Sequence, residues 1–411
     1  MNRYPFTTTD LSLSDLLEKY GSPLYVYDEN VFRARCREMK QLIDYPCFTS
    51  NYSIKANSNL TLLRIAREEG LYADAMSPGE ICLLQAAGFS SEQIYFVPNN
   101  VDDDEFRYAL ERDILISIDS LSQLERLGRI APGIEFALRL NPGIGAGHHK
   151  KVVTAGSKTK FGIAEGQIPE AMDLAAEFGL KIVGINQHIG SLFMSPEPYI
   201  AAASHFLELA KAFPDLRLVD FGGGFGIPYH KEEGESRLDL ASLGEQLTEL
   251  VRDFAAWYPR QLTFKTEPGR YIAAESGTLL GRVLALKENG GTHYVGTDIG
   301  FNVLMRPILY DSHHDVELYR DNQQLLEEPK HTYTVVGNIC ESGDILAHHR
   351  HLPVPQLGDV VAVRDTGAYG YAMASAYNSR PRPAEVLITS EGKDVLIRKK
   401  ETLEDLLALF P

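Results

Sequence analysis

Short apolar runs alternate with helix-like segments from residue 47 to residue 267 of this 411-residue chain, and this alternation constrains the fold most. Each run except the last precedes a segment with helical periodicity, for example LTLLRIAREEG or PYIAAASHFLELAKAF. Eight such runs over about 250 residues are typical of a (β/α)8 barrel, and we predict this α/β fold. A doubly wound open sheet is the alternative that the same pattern allows. The runs are residues 47–54, 72–76, 94–99, 114–119, 135–140, 182–189, 216–221 and 262–267.

The sequence after residue 272 has a different character. Its segments are short, rich in β-branched and aromatic residues and separated by turn residues, as in THYVGTD, HTYTVV and DVVAVRD. Only the terminal LEDLLALF has a helical pattern. We therefore predict a barrel domain at residues 28–272. A second domain, an antiparallel β-sandwich or β-barrel, is predicted at residues 273–411 together with residues 1–27, whose PLYVY run adds a strand.

Charge and cysteine content narrow the partners and the compartment. The net charge of −16 opposes binding to nucleic acid or to an anionic membrane surface, because both attract basic proteins. No apolar run approaches the roughly 20 residues that a membrane-spanning helix needs. The four cysteines, Cys36, Cys47, Cys82 and Cys340, form no CxxC pair. This argues against a zinc site and against disulfides, and it favours a cytoplasmic protein.

Three stretches are rich in histidine: HHKK at 148–151, SHHD at 312–315 and HHRH at 348–351. Adjacent histidines on a loop rarely face one ion. We interpret all three stretches as solvated loops and predict no metal site.

Polar residues follow the predicted barrel strands at their carboxyl ends, where barrel enzymes carry their chemistry. These residues are expected to meet at one rim of the barrel. They are Lys55, Asp74, Arg139, His188, the FGGGFG turn at 221–226 and the EPGR segment at 267–270.

The glycine turn and Lys55 together suggest pyridoxal 5′-phosphate (PLP). Gly222–Gly224 offer backbone N–H groups to an anion, although alone they are as consistent with a tight turn. The turn does not match GxGxxG, because position 227 is Ile. Lys55 could bind an aldehyde through its amine, Glu267 could pair with a pyridine nitrogen and His188 could stack on the ring. Taken singly, each is as well explained by a structural role, and only their convergence favours a cofactor.

The sequence resembles the fold-type III PLP-dependent decarboxylases, and among them the diaminopimelate decarboxylases. The resemblance covers roughly residues 20–392. It implies a barrel that holds PLP, a C-terminal β domain like that of alanine racemase, and a homodimer whose active sites lie at the interface. The implied reaction converts meso-2,6-diaminopimelate to L-lysine and CO2, the final step of lysine biosynthesis. The matching motifs are YGSPLYVYD, YSIKANSN, DAMSPGE, QHIGS, DFGGGFGIPY, EPGRYI, GNICESGD and GAYGYAMASAYNSRPRPAEVL.

The resemblance also implies residue roles. Lys55 would form the Schiff base, His188 would stack on the ring and Glu267 would bind its nitrogen. Cys340 would donate a proton, and the Cys340–Glu341 segment would come from the partner subunit. The remaining cofactor contacts would be Asp74, Arg139, Ser191, Gly222, Gly223, Gly224, Gly269, Arg270 and Tyr369. The substrate contacts would be Arg270, Arg306, Tyr310, Glu341 and Tyr369. Pro78 departs from the family, where we expect Gly.

The arginines favour diaminopimelate as the small-molecule substrate. Its distal carboxylate calls for the forked donors of a guanidinium, such as Arg270 or Arg306 with the phenol of Tyr310. Glu341 could take the distal ammonium. The alternatives are a fold-type III decarboxylase of another carboxylated amine, an alanine-racemase-like enzyme and a non-catalytic PLP carrier.

Overall fold

The computed structural model describes residue 6 and residues 11–143, 146–147, 159–326 and 331–411. The strands are β1 (Leu24–Asp28), β2 (Phe48–Ser53), β3 (Tyr72–Ala75), β4 (Ile94–Phe96), β5 (Leu115–Ile118), β6 (Glu135–Asn141), β7 (Ala146–Gly147), β8 (Ile163–Ala164), β9 (Lys181–Asn186), β10 (Gly190–Ser191), β11 (Leu218–Asp220), β12 (Thr263–Thr266), β13 (Gly277–Asn289), β14 (Thr292–Thr297), β15 (Val316–Arg320), β16 (Gln323–Gln324), β17 (His331–Val336), β18 (Ile345–Leu352), β19 (Val360–Val363), β20 (Ala384–Ile388) and β21 (Asp394–Arg398). The α-helices are α1 (Leu13–Tyr20), α2 (Glu29–Lys40), α3 (Leu60–Glu68), α4 (Pro78–Ala86), α5 (Asp103–Leu110), α6 (Leu121–Ile130), α7 (Ile168–Glu177), α8 (Glu197–Ala210), α9 (Leu240–Trp257), α10 (Arg270–Ala273) and α11 (Arg306–Tyr310).

The chain divides into two compact units. The barrel unit comprises Arg35–Ile227 and Arg237–Ile272. The β unit comprises Met1–Ala34, Pro228–Ser236 and Ala273–Pro411. Each unit is described by itself.

The barrel unit contains a closed ring of parallel strands. Around the ring, β2, β3, β4, β5, β6, β9, β11 and β12 are neighbours in chain order, and β12 pairs with β2 to complete the closure. Every one of these pairings is parallel. The predicted (β/α)8 barrel is therefore confirmed, and the open sheet is ruled out.

Side-chain caps start several of the helices that follow these strands. The Asn59 carboxamide accepts the Thr61 N–H at the start of α3, and the Ser77 hydroxyl accepts the Glu80 N–H at the start of α4. Pro78 occupies the first turn of α4, where a missing N–H costs nothing and the fixed φ suits the helix. Helix α4 can therefore begin with proline at the position where we expected glycine.

The β unit is built on a sheet in which β1 is central. β1 pairs antiparallel with β13 and parallel with β20, as the PLYVY run predicted for this region. The β14–β17 pair is also parallel, so the sheet is mixed rather than wholly antiparallel. Leu24 and Val26 of β1 are buried against Leu16 and Leu17 of α1, so the N-terminal segment contributes to the core of this unit.

The terminal LEDLLALF segment differs from the sequence expectation. It contains a short 3-10 turn at Asp405–Leu407 instead of an α-helix. Leu409 is 96% exposed and Leu407 is 67% exposed. With its apolar side chains in solvent, the segment lacks the packing that stabilises most helices in proteins. None of the helices in the described ranges has the length and apolar character needed to cross a membrane.

Candidate active site

The interior of the barrel carries a layer of polar side chains. Strand register aligns Arg139 with Asn186, Asn186 with Asp220, and Asp220 with Lys265. Residues aligned across parallel strands face the same side of the sheet, and all four are buried. Barrel interiors are usually filled by Val, Ile and Leu. A polar layer at this place indicates that these residue types serve chemistry and not the packing of a core.

Burial shifts the protonation of this layer. It raises the pKa of Asp220 to about 7 and that of Glu267 well above its ordinary range. It lowers the pKa of Arg139 and of Lys265, although the neighbouring carboxylates oppose that change. The acids therefore hold protons more tightly, and the bases less tightly, than they would in water.

Lys55 lies in a 3-10 turn, Ile54–Ala56, that directly follows β2. Its Nζ is 3.7 Å from Oδ2 of Asp74, and its side chain is 33% exposed while that of Asp74 is fully buried. The Ser53 hydroxyl donates to both oxygens of Asp74, at 2.8 and 2.9 Å. The structure places the Lys55 amine at the open end of its strand, and the buried group is its carboxylate neighbour.

His188 lies two residues beyond the end of β9 rather than at its last position, because the strand ends at Asn186. The Gly223 N–H donates to Nδ1 of His188 at 3.2 Å, so the ring proton is on Nε2. Burial lowers the pKa of His188 well below its ordinary value, and the positive charges of Lys55 and Arg139 act in the same direction. A neutral ring is compatible with the stacking role, which stays a prediction.

The glycine turn brings three barrel loops into close contact. A Cβ on Gly223 would lie 2.2 Å from the carbonyl oxygen of Glu267, and a Cβ on Gly222 would lie 2.1 Å from that of Gln187. Gly222 also has φ +75°. Its N–H donates to Oδ1 of Asp220 at 2.8 Å. The N–H groups of Gly222 and Gly223 thus donate to protein groups in this structure, and phosphate binding by the turn stays a prediction.

Glu267 provides the test of whether this site fits PLP. The residue is 3% exposed, and its Oε1 accepts no hydrogen bond from an N–H or hydroxyl group among the described residues. Its carboxyl is hydrogen-bonded to that of Asp220, and a buried carboxyl pair without an N–H or hydroxyl donor is costly. The ring N–H of a bound pyridine would satisfy it and would favour the ionised carboxylate. The residues present therefore fit the cofactor.

Arg270 and Ser191 form the outer part of the barrel site. Nη2 of Arg270 donates to the Ser191 hydroxyl at 2.9 Å, and Arg270 is buried at the start of α10. A Cβ on Gly269 would lie 2.9 Å from Cβ of Ser53. The loop after β12, which carries the EPGR segment, is thus packed directly against the turn that carries Lys55.

The β unit holds the other predicted residues. Cys340 and Glu341 are exposed. The Asn378 carboxamide donates to Sγ of Cys340 at 3.2 Å, and the Tyr377 hydroxyl donates to Oε1 of Glu341. Asp344 anchors this loop, because its carboxylate accepts the N–H of Ile339 and the N–H of Phe301, each at 2.7 Å. The CESGD motif therefore contains both the exposed thiol, at Cys340, and the carboxylate that fixes the loop, at Asp344.

Arg306 and Tyr310 begin and end the short helix α11. Arg306 is 2% exposed, and its Cζ lies 4.7 Å from the centre of the Tyr229 ring. Tyr310 is half-buried. Tyr369 is also half-buried and has φ +57°, a left-handed conformation that is uncommon outside glycine. Backbone strain of this kind is concentrated at functional sites.

Sequence analysis missed several residues that shape the site, and some had detectable signals. Lys265 stands two positions before Glu267. Because residues two apart in a strand face the same side, this spacing could have indicated that both side chains point into the barrel. Asp220 directly precedes the glycine turn. No pattern pointed to Ser53, Asp344 or Asn378, whose contacts depend on the fold.

The three histidine-rich stretches differ in how they compare with the prediction. HHKK at 148–151 lies outside the described residues. His348, His349 and His351 are exposed, as predicted, but the prediction of a loop is wrong, because all three lie in strand β18. The prediction for SHHD is wrong at His314, which is 1% exposed and hydrogen-bonded on both ring nitrogens. Among the described residues, no group of three His, Cys, Asp or Glu side chains is arranged to hold a metal ion.

Comparison with known proteins supports the same assignment. Residues 29–274 match the family described as "Pyridoxal-dependent decarboxylase, pyridoxal binding domain". The diaminopimelate decarboxylase of Methanothermobacter thermautotrophicus is 42% identical over 402 residues, which cover 96% of this chain and 92% of that one. This chain belongs to the diaminopimelate decarboxylase family. It is therefore a PLP-dependent decarboxylase.

Solved structures of the family share the whole fold. A crystal structure of diaminopimelate decarboxylase superposes with a TM-score of 0.90 at 34% identity, covering 98% of this chain and 97% of that one. The Helicobacter pylori enzyme, crystallised with L-lysine, gives a TM-score of 0.88 at 32% identity, with 97% of this chain and 99% of that one covered. Both the barrel and the β unit are thus family features.

Proposed function

We propose that this protein decarboxylates meso-2,6-diaminopimelate to L-lysine and CO2, with PLP bound through Lys55. The observation that carries the proposal is the buried carboxyl of Glu267, on the loop after β12 and next to the strand that leads to Lys55, whose Oε1 accepts no hydrogen bond from an N–H or hydroxyl group among the described residues. The full-length similarity to diaminopimelate decarboxylases supports the choice of substrate.

The residues that would hold the cofactor divide by role. Lys55 would bind it covalently, the neutral His188 ring would cover one face, and the glycine turn with Ser191 would hold the phosphate. Glu267 would accept the ring N–H and keep that proton in place. When bound, PLP supplies an electron-withdrawing ring that accepts the electron pair released as a carboxylate leaves the α-carbon.

The chain's own groups complete the reaction. Asp74 and Ser53 fix the surroundings of the Lys55 amine, and closure of the site around a dry interior would strengthen each charge interaction. Cys340 would return a proton to the α-carbon after CO2 leaves, and its Sγ is held by Asn378 at 3.2 Å. The thiol is on an exposed loop, where it is available to a substrate.

Substrate choice would depend on the arginines. A buried guanidinium without an anion is costly, and the distal carboxylate of diaminopimelate offers one. Arg306 is 2% exposed, so it supplies a desolvated, geometrically fixed donor. Ornithine and lysine lack this carboxylate and would make no charge-assisted hydrogen bond of this kind.

We also propose a homodimer with shared active sites and a cytoplasmic location. The exposure of Cys340 and Glu341 supports the dimer, because groups proposed to act on a substrate would otherwise stay in bulk solvent. Free rather than paired cysteines suit a reducing compartment.

The test is incubation of the purified PLP-loaded protein with meso-diaminopimelate, ornithine and lysine in parallel, with CO2 and amino-acid products measured. We expect CO2 from diaminopimelate, with L-lysine as product, and far slower release from the other two. If no lysine forms from diaminopimelate, the proposed substrate is wrong. CO2 from a different carboxylated amine would favour another decarboxylase of this fold, and racemisation without CO2 would favour a racemase. Bound PLP without any turnover would indicate a carrier.

A further inference from the structure

His314 is the buried member of the SHHD stretch, and both of its ring nitrogens are engaged. Nε2 lies 2.8 Å from Nη1 of Arg306. Nδ1 lies 2.7 Å from the carbonyl oxygen of Arg364. The imidazole is therefore a direct link between the backbone at the end of β19 and the guanidinium proposed to bind the distal carboxylate.

The chemistry of the two partners fixes the protonation of His314. A guanidinium can only donate hydrogen bonds, so Nε2 must accept and cannot carry a proton. A carbonyl oxygen can only accept, so Nδ1 must carry the proton. His314 is consequently neutral and in a single tautomer whenever both contacts are formed.

We propose that His314 is a positioning residue that sets the orientation of Arg306 for substrate binding and releases it when protonated. This inference rests on the proposed function. A proton on Nε2 would set one N–H against another at hydrogen-bond distance and add a second positive charge beside the guanidinium. Arg306 would then have to turn away, and recognition of the distal carboxylate would be lost.

Tyr229 and Ser312 also contact this pair. The Tyr229 ring packs edge-on against the imidazole at 5.4 Å and lies under the guanidinium at 4.7 Å. The Ser312 hydroxyl is a longer contact to Nη2, at 3.4 Å. Of these neighbours, the imidazole makes the shortest hydrogen bond to the guanidinium.

The charged groups around His314 all bear on its protonation. Arg306 is in direct contact, and Nη2 of Arg350 donates to the His314 carbonyl oxygen at 3.2 Å. Asp315 follows in the chain, but its carboxylate is engaged by Nε2 of His313 at 2.9 Å. The Arg364 side chain donates to the Thr278 hydroxyl at 2.9 Å. Arg306 is thus the cation in hydrogen-bond contact with the ring, whereas Arg350 contacts the backbone of the same residue.

The first test compares KM and kcat for diaminopimelate in His314→Leu, His314→Gln and wild type. Leu removes the acceptor, and we expect KM to rise by about tenfold or more, in line with the loss of a charge-assisted hydrogen bond. We expect kcat to change less than KM and PLP absorbance to be retained. A Gln side chain can accept from Arg306 and donate to the Arg364 carbonyl, so it should keep KM near the wild-type value at pH 8.

The second test is the pH profile. Wild type should show a KM that rises as the pH falls and His314 gains a proton. His314→Gln cannot titrate and should lose that component, whereas the control His351→Gln, at an exposed histidine of β18, should keep it. A wild-type KM in His314→Leu, or an unchanged acid rise in His314→Gln, would overturn the proposal. If the Leu variant fails to fold, the Gln profile alone decides. Absence of lysine formation by wild type would instead refute the proposed function.

Discussion

Asp220 is a residue inside the barrel whose burial changes both its pKa and the stability of the fold. Its carboxyl is fully buried, accepts the Gly222 N–H through Oδ1 and is hydrogen-bonded to the carboxyl of Glu267. Burial raises its pKa from 3.8 to about 7. In the unfolded chain the same group titrates near pH 4.

This difference predicts the pH dependence of stability. From about pH 4 to about pH 7 the unfolded carboxyl ionises while the folded one keeps its proton, so the stabilisation present at low pH is lost as the pH rises. We expect the cofactor-free Asp220→Asn variant to lose less thermal stability between pH 5 and pH 8 than wild type does. Melting temperatures at both pH values measure this. The control Asp173→Asn, at an exposed position of α7, should behave like wild type. Equal losses in all three proteins would show that Asp220 is ionised throughout.

Cys340 allows a second prediction at the residue scale. Cys340→Ala should lower kcat by about 10²–10⁴-fold, the usual contribution of a general acid, while PLP binding is unchanged. Steady-state rates and PLP absorbance measure the two effects. Cys82 is an exposed cysteine on α4, and Cys82→Ala should leave both unaltered. A fully active Cys340→Ala protein would remove the proposed proton donor.

The glycine turn is the element on which cofactor binding depends. In Gly223→Ala the new Cβ would meet the Glu267 carbonyl oxygen at 2.2 Å, so the loops after β11 and β12 must separate. We expect PLP affinity to fall at least tenfold, or about 1.4 kcal/mol. Gly166→Ala is the matched control, because a Cβ there meets nothing within 4 Å. Cofactor titration followed by absorbance compares them, and equal affinities would mean that the turn does not shape the site.

Elements with strong periodicity were predictable, and contacts between elements were not. All eight barrel runs became strands within a few residues of their expected ends, because the apolar pattern and the helix caps are local. The alignment of Arg139, Asn186 and Asp220 is a property of strand register across the closed ring. The contact of His314 with Arg306 depends on the turn after α11. The local sequence indicates neither this alignment nor this contact, so both were visible only in the structure.

The whole molecule is predicted to act as a homodimer with shared sites, and subunit mixing tests this. Lys55→Ala and Cys340→Ala should each be nearly inactive. If Cys340 acts in the partner's site, a hybrid dimer has one intact site. Mixed and re-associated subunits should then recover roughly a quarter of wild-type activity, since half of the random dimers are hybrids. Activity should return only when the two variants are mixed, and not when either variant is dissociated and re-associated alone. No recovery, with hybrid formation verified, would place Cys340 and Lys55 of one chain in the same site.

The central claim is that Lys55 carries the cofactor, and chemical trapping tests it most directly. The PLP-loaded protein is reduced with borohydride, digested and analysed by mass spectrometry, so that the lysine bonded to the cofactor is identified. Lys265 is the informative competitor, because it is also inside the barrel and burial lowers its pKa. We predict one modified peptide, containing Lys55, and none in Lys55→Ala. A modified Lys265, or no modified peptide from a fully loaded protein, would contradict the account.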